Sequence, residues 1–491
     1  MRYSGFVRRE VTLLPDSSRV IIRPFIPGSE LRATTVIGRI LALSEEETEL
    51  GLAAVRAEFA TRHLDIEAPW LANFERIRHL VFTQQPLSPS RALLLGATFS
   101  GEYALESAAL FNPSIVAHPD QSGVEEGELR FLLSLRATGE GHISSIEFRS
   151  GLITKDSGMR MDPVSRFASA TDSLPNPEYD RRAFGIKVHE MGFENEHSAA
   201  LLGGLSATFS RKDLEGALAR ARRRTIPATR DFHRTMDCIQ WLADSNYEIQ
   251  FPPALTASER VIFPVSPAES KGIEDARFVR LVEDDGRVRY YATYTAYDGR
   301  AILSQLIETD DFVRFRMSTL GGDGVRNKGM ALFPRRVGGR YVMLSRQDDE
   351  NLFLMYSDDP HYWSDPRLLL RPAELWESVK VGNCGSPIET EVGWLLLTHG
   401  VGPMRKYCIG AALLDLEDPT RIIGRLREPL VAPEGAEREG YVPNVVYTCG
   451  AMLHGRELIL PYAVSDTAAV IARLDLDELL GALKEGRETG R

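Results

Sequence analysis

The sequence is short of cysteine, of long apolar runs and of positive charge, and each shortage excludes a class of protein. Only four cysteines occur in 491 residues, Cys238, Cys384, Cys408 and Cys449, far apart and without CxxC or Cys/His spacing. A structural zinc site and a disulfide framework are therefore not expected, and a reducing compartment fits better. No run of about twenty apolar residues is present, so no membrane-spanning helix is expected. The amino terminus, MRYSGFVRREVTLLPDSSRV, carries charges where a secretory signal needs an unbroken apolar stretch, which makes the cytoplasm the expected location. With 58 Lys and Arg against 69 Asp and Glu the net charge is −11, so nucleic acid and membrane are not expected partners, while a local basic pocket stays compatible with the balance. What remains is a globular composition, 43% hydrophobic and 26% charged, long enough for two or three structural units.

Along the chain the periodicity alternates between strand and helix. Residues 5–26 hold short apolar pieces that suit a strand pair. Ile37 to Arg62 is helical in pattern, with Ser44 before a run of acids as an N-cap, and a second helix is expected over Trp70 to Phe82, closed by Pro86 to Ser90. Strand-like runs follow at 109–116, 129–135 and 142–148. Helical signals return between Asp180 and Gln250, at 195–210 and at 213–224, the latter ending in Arg220, Arg222, Arg223 and Arg224, which read as a solvated helix end or an interface. Beyond Pro252 short strands recur at 259–263, 278–282, 288–295, 301–306, 341–345, 352–356, 393–398, 407–413, 442–447 and 457–462, before a terminal helix at 475–484. Short strands at this density suggest a closed or radially repeated β architecture, although no exact sequence repeat gives a blade count.

The densest chemistry lies in KGIEDARFVRLVEDDGRVRYYATYTAYDG, residues 271–299. Two strand runs flank an Asp-Gly turn, a hairpin signal, and Glu274, Asp275 and Arg277 stand before the first run. A carboxyl between another acid and an Arg can have its protonation set by its neighbours, which makes Asp275 a candidate general acid, whereas a solvated charge cluster is the plain structural alternative. On the same structural alternative, Lys328 and Lys380 are surface charges, His399 a turn or core histidine and Asp466 a turn residue. Trp376, Tyr297 and Tyr407 suit either core packing or stacking on a sugar ring.

Several elements then recur in a fixed order: GIEDAR at 272–277, YTAYDG at 294–299, Asn327-Lys328 before LFP at 332–334, YVMLSR at 341–346, Trp376 with Lys380, GSPIET at 385–390, His399-Gly400, PNVV at 443–446, and Tyr462 with Asp466. In that order they resemble glycoside hydrolase family 130, the inverting mannoside phosphorylases and related mannosidases, over about residues 109–151 and 255–475. Ala276 stands where the family pattern has Pro. The resemblance implies a mainly β chain, a five-bladed β-propeller with a helical N-terminal segment and a helical insertion after the first blade. Its expected parts are residues 1–105 (mostly helical), 106–152 (first blade), 153–254 (helical insertion), 255–475 (remaining blades) and 476–491 (helix and tail). It further implies Asp275 as proton donor, Lys328, Arg346, Lys380 and His399 around phosphate, and Asn112, Arg136, Glu274, Arg277, Tyr297, Asp298, Tyr407 and Asp466 around the sugar.

The reaction so implied is phosphorolysis of a β-mannoside to α-mannose 1-phosphate. Phosphate is already anionic and needs cations rather than a carboxylate base, and all four expected phosphate ligands are able to donate hydrogen bonds. The expected partners are an oligosaccharide and inorganic phosphate as co-substrate, with no cofactor and no metal, and the helical segments are candidates for a homo-oligomer interface. The alternatives are a β-mannosidase in which Glu389, Glu391 or Glu439 assists water, and a non-catalytic carbohydrate-binding propeller.

Overall fold

The structure is a computed structural model that describes residues 8–83, 86–224, 229–300 and 302–488. The start of the first expected strand at 5–7, the tail at 489–491 and the side chain of Arg224 lie outside the described residues.

Five antiparallel sheets of four to six strands follow one another along the chain. The first is built on Ala109–Ala117, Leu129–Thr138 and Ser144–Ile153, the second on Gly272–Val282, Val288–Tyr297, Ile302–Thr309 and Arg314–Thr319. The third runs Ala331–Leu332, Tyr341–Ser345, Leu352–Ser357 and Arg367–Leu370; the fourth Lys380–Asn383, Gly393–Val401, Tyr407–Leu414 and Ile422–Arg425. The fifth pairs Val446–Tyr447, Glu457–Val464 and Ala468–Asp475 with Arg8–Leu13 from the far end of the chain. Met159–Met161 joins the first sheet and Tyr247–Gln250 the second, so both ends of the expected helical insertion are woven into sheets.

Alternation along the strands explains how the sheets hold together. On Gly393–Val401, Leu395 and Leu397 pack with Leu458, Leu460 and Tyr462 of the fifth sheet, while Trp394 and Leu396 pack with Phe333, Val342 and Leu344 of the third. Val279, Leu281 and Tyr291 join Leu332, Met343 and Met355 between the second and third sheets. Phe148 meets Phe278 and Phe315 between the first and second. Ile459 and Ile471 of the fifth meet Leu133 and Phe131 of the first. The apolar contacts thus run from each sheet to the next and from the last back to the first, while among the described residues no single sheet closes on itself.

The helical segments differ from expectation at their ends. In place of one helix over 37–62 there are two, Glu30–Leu41 and Glu45–Phe59, because Ser44 and Glu47 form a reciprocal cap that starts a new helix. Pro86 to Ser90 does not close the segment: Ser88 caps a further helix, Pro89–Thr98, with Pro89 in its first turn, where a missing N–H costs nothing. Buried Arg91 of that helix donates to the carbonyls of Ile40 and Leu43 and ties its start to the end of the first helix. The helix expected over 195–210 stops at Gly203, and Thr208–Phe209 pairs with Tyr179–Asp180 instead. Arg181–Glu190, Arg211–Arg224 and Arg230–Asp244 pack with it around Phe184, Leu214, Phe232 and Ile239. Of the basic cluster, Arg222 reaches Asp237 at 3.4 Å on the surface, consistent with a solvated helix end. The final helix, Leu476–Glu488, buries Leu479, Leu480 and Leu483 on the fourth and fifth sheets.

One polar network welds the N-terminal segment to the first sheet. Arg19 meets Glu106 and Glu147 at 2.8 Å each, Arg149 meets Glu106 at 2.6 Å, and all four residues are buried. All four cysteines are buried and free. No helix among the described residues is long and apolar enough to cross a membrane.

Candidate active site

Two strand irregularities face each other and create the site. On Gly272–Val282 the register slips between Glu274 and Arg277, and Asp275 takes a φ of 55°. On Ala109–Ala117 it slips between Phe111 and Ser114, and Asn112 takes a φ of 48°. Asp and Asn are the side chains that best tolerate this left-handed region, and a bulge re-aims the residue it carries. Here the bulges turn the two residues towards each other: Asn112 Nδ2 donates to Asp275 Oδ1 at 2.6 Å, and the Phe278 N–H donates to Ser114 Oγ at 3.1 Å. Glu269 anchors the approach to this strand, accepting from the hydroxyls of Tyr247 and Tyr294 and from the N–H of Ser266.

Cations surround the bulge. Arg136 donates to Asp275 Oδ1 at 3.2 Å and to Glu274 Oε1 at 3.0 Å, with its Nε on Ser144 Oγ and its guanidinium over the Phe111 ring. Lys328 Nζ lies 3.3 Å from Glu274 Oε2. Arg277 donates to the main-chain oxygen of Asp275 at 2.9 Å and to the Tyr447 hydroxyl at 2.6 Å, leaving its Nε without a partner. Burial pushes the Asp275 carboxyl up, but Arg136, Arg277, Lys328 and the Asn112 hydrogen bond together outweigh it and hold the group at about 2. Asp466, on the turn between the last two strands of the fifth sheet at a φ of 50°, feels the opposite balance. Burial and the charge of Asp275 push it up to about 6 against Arg136, Arg405 and Lys328.

Arg346, Lys380 and His399 gather beside this centre. Arg346 follows Tyr341–Ser345, Lys380 opens Lys380–Asn383, and His399 lies opposite Gly382 on the neighbouring strand. Arg346 and Lys380 both hold the Asp349 carboxylate, the lysine at 3.2 Å. A side chain at Gly329 would lie 3.3 Å from Arg346 Cδ and 3.8 Å from Arg277 Nη2, so the two arginines meet around that glycine. The Gly329 loop is pinned by Asn383 Nδ2 on the Gly329 carbonyl at 2.6 Å, by Ser304 on the Asn327 carbonyl at 2.8 Å, and by Thr293 on that of Met330. His399 Nδ1 lies 3.0 Å from the Asn383 carbonyl, which only accepts, so Nδ1 carries the proton. Burial, with Arg346, Arg277 and Lys380 close by, holds the imidazole well below its usual range, so it is neutral with a bare Nε2.

One expectation is refined here: with Nδ1 on the Asn383 carbonyl, the bare His399 Nε2 is able to accept a hydrogen bond rather than donate one. Glu274 holds Lys328, and Asp349 holds Arg346 and Lys380. Tyr407 stacks on His399 with ring centroids 6.1 Å apart, and Tyr297 ends the second strand of the hairpin opposite Gly272. Asp298 accepts the Arg300 N–H at 2.8 Å, the bond of a turn. Trp376 packs its ring against Gly400 and Gly410, where a methyl group would come within 2.4 and 2.5 Å. Glu389 pairs with Arg335 and Glu391 with Arg456, outside this cluster. Asp349, Asn383 and Tyr447 were missed in the sequence; the signal for Asp349 was its place three residues after Arg346 in an acidic turn. All five sheets contribute a side chain to the cluster.

Comparisons with known proteins bear on the family of the chain. The sequence profile described as β-1,4-mannooligosaccharide phosphorylase, that of glycoside hydrolase family 130, matches residues 242–485. A 1,2-β-oligomannan phosphorylase of Thermoanaerobacter sp. (strain X514) is 37% identical over 223 residues, 43% of this chain and 71% of that protein. A β-1,2-mannobiose phosphorylase of Listeria innocua is 31% identical over 233 residues, 45% of this chain and 63% of that protein. The solved structure of a Listeria innocua β-1,2-mannobiose phosphorylase in complex with β-1,2-mannobiose aligns at a TM-score of 0.45 and 23% identity, covering 77% of this chain and 92% of that one. The chain belongs to glycoside hydrolase family 130 and carries helical segments in addition to the matched region.

Proposed function

We propose that the chain is an inverting β-mannoside phosphorylase that cleaves manno-oligosaccharides with inorganic phosphate and releases α-mannose 1-phosphate. The observation that carries this reading is the convergence, from four sheets, of a carboxyl held by Asn112 and Arg136 with the cations Arg277, Lys328, Arg346 and Lys380 around a neutral His399. Arginine grips phosphate oxygens through two parallel N–H groups and lysine adds a compact charge. In the proposed reaction a phosphate oxygen bonds to the anomeric carbon from the face opposite the departing oxygen. The glycosidic C–O bond breaks, and the acceptor oxygen takes a proton supplied by Asp275, directly or through a sugar hydroxyl. His399 Nε2 accepts the hydrogen bond of the P–OH group of hydrogenphosphate. Asn112, Arg136, Glu274, Tyr297, Tyr407 and Asp466 are assigned to the sugar.

We also read the five sheets as the five blades of a β-propeller with the site at its centre. The ring of apolar contacts supports this.

A second reading of the acid has one observation behind it. A general acid must hold a proton at working pH, and Asp466 is the carboxyl pushed up, to about 6, while Asp275 is held low and ionised. On this reading Asp466 is the proton reservoir and Asp275 fixes the sugar.

The test is sugar release from β-1,2- and β-1,4-mannobiose with and without inorganic phosphate, together with phosphate release from α-mannose 1-phosphate and manno-acceptors. Phosphate-dependent cleavage and synthesis from the sugar phosphate are expected; equal cleavage without phosphate removes the proposal in favour of hydrolysis.

A further inference from the structure

We propose that Asp349 is the resident anion of the phosphate seat, a carboxylate that occupies Arg346 and Lys380 when phosphate is absent, gives way when it enters, and so sets the affinity for it. The inference rests on the reading of Arg346 and Lys380 as phosphate ligands. Three observations support it.

The first is convergence. Both cations point their donors at the same carboxylate, Lys380 Nζ within reach of both oxygens at 3.4 and 3.2 Å and Arg346 through Nη2. A carboxylate presents two oxygens where phosphate presents four, and the buried Nε groups of Arg346 and Arg277 remain without partners. The resident acid therefore leaves donors unused that a larger anion is able to satisfy.

The second is asymmetry of burial. The Arg346 side chain is 7% exposed and that of Lys380 19%, whereas that of Asp349 is 57% exposed. The cations are built into the sheets and the anion sits at the mouth, so Asp349 is the member that swings into water at little cost. The third is the turn itself. Asp348 Oδ1 accepts the N–H groups of Glu350 and Asn351 at 3.0 and 2.8 Å, and Asp349 adopts a φ of 61°. Asp348 builds the turn, and Asp349 is left to face the cations.

The experiment compares Asp349→Asn and Asp349→Glu with the parent protein, reading KM for inorganic phosphate, competitive inhibition by sulfate, and phosphate binding by calorimetry. Displacing a charged competitor costs affinity, so Asp349→Asn is expected to lower the phosphate KM about fivefold and to tighten sulfate inhibition in parallel. Asp349→Glu, which keeps the charge, is expected to stay near the parent. A phosphate KM that rises or does not change in Asp349→Asn overturns the inference, because a carboxylate that merely props Arg346 and Lys380 gives that result. A parent protein that binds no phosphate overturns the phosphate reading itself, and this inference with it, so the two failures are told apart before any variant is made.

Discussion

At the scale of single residues, Asp275 and Asp466 share one electrostatic field and are driven apart by it. Asp275 has Arg136 and Asn112 in hydrogen-bond contact and is held low; Asp466 is buried beside the charge of Asp275 and is held high. Asp275→Asn is expected to reduce turnover by about 10²- to 10⁴-fold, the usual contribution of a positioned proton donor, while mannoside binding persists by calorimetry. Near-parental turnover in that variant removes Asp275 from the acid role. The raised carboxyl also leaves a mark on stability. The folded state binds the Asp466 proton up to about pH 6 and the unfolded chain only to about 3.8, so stability falls as pH rises between these values. Asp466→Asn is therefore expected to gain roughly 2 kcal/mol at pH 8 and nothing at pH 3.5. Denaturant titrations at the two pH values check this, and an equal gain at both contradicts the assignment.

At the scale of elements, the bulges and pinned loops matter more than the regular strands. Asn112, Asp275, Asn327, Asp349, Asn444 and Asp466 all adopt positive φ, and all are Asn or Asp on segments that reach the site or border it. Such conformations persist only where the surroundings over-determine them. The close approach of Lys380–Asn383 to Gly393–Val401 is equally demanding, since a methyl group on Gly382 would lie 2.4 Å from His399 Cε1 and 3.2 Å from Arg346 Cδ. Gly382→Ala is accordingly expected to raise the phosphate KM on the order of 10- to 100-fold, with a smaller effect on binding of the mannoside. Initial rates at varied phosphate and at varied sugar separate the two; an equal loss in both contradicts a local effect on the anion seat.

At the scale of the whole molecule, two connections across the chain carry the architecture. Arg8–Leu13 pairs with Ala468–Asp475, so the first described strand completes the last sheet and covers its edge. Arg19, Glu106, Glu147 and Arg149 bury a charge network between the N-terminal segment and the first sheet. Arg19→Met leaves two buried carboxylates with one cation fewer and is expected to cost about 3–5 kcal/mol. Chemical denaturation measures it, and a loss below 1 kcal/mol means the network is not the weld described here. Neither connection was visible in the linear pattern, because an Arg at position 19 and a Glu at 147 carry no local sign of each other.

Legible in the linear sequence were the composition class, the approximate positions of most long strands, the order of the motifs and, through them, the family, together with Asp275, Arg136, Arg346 and Lys380 as residues to look for in one place. These are encoded in local alternation and motif order, which survive in a linear reading. It took the three-dimensional contacts to show that Asn112 and Asp275 touch, that Asp349 occupies the cations and that His399 is neutral with Nδ1 on the Asn383 carbonyl. Each depends on a partner from another strand or on the burial that surrounding sheets impose, and neither distance nor dielectric is written in the order of residues.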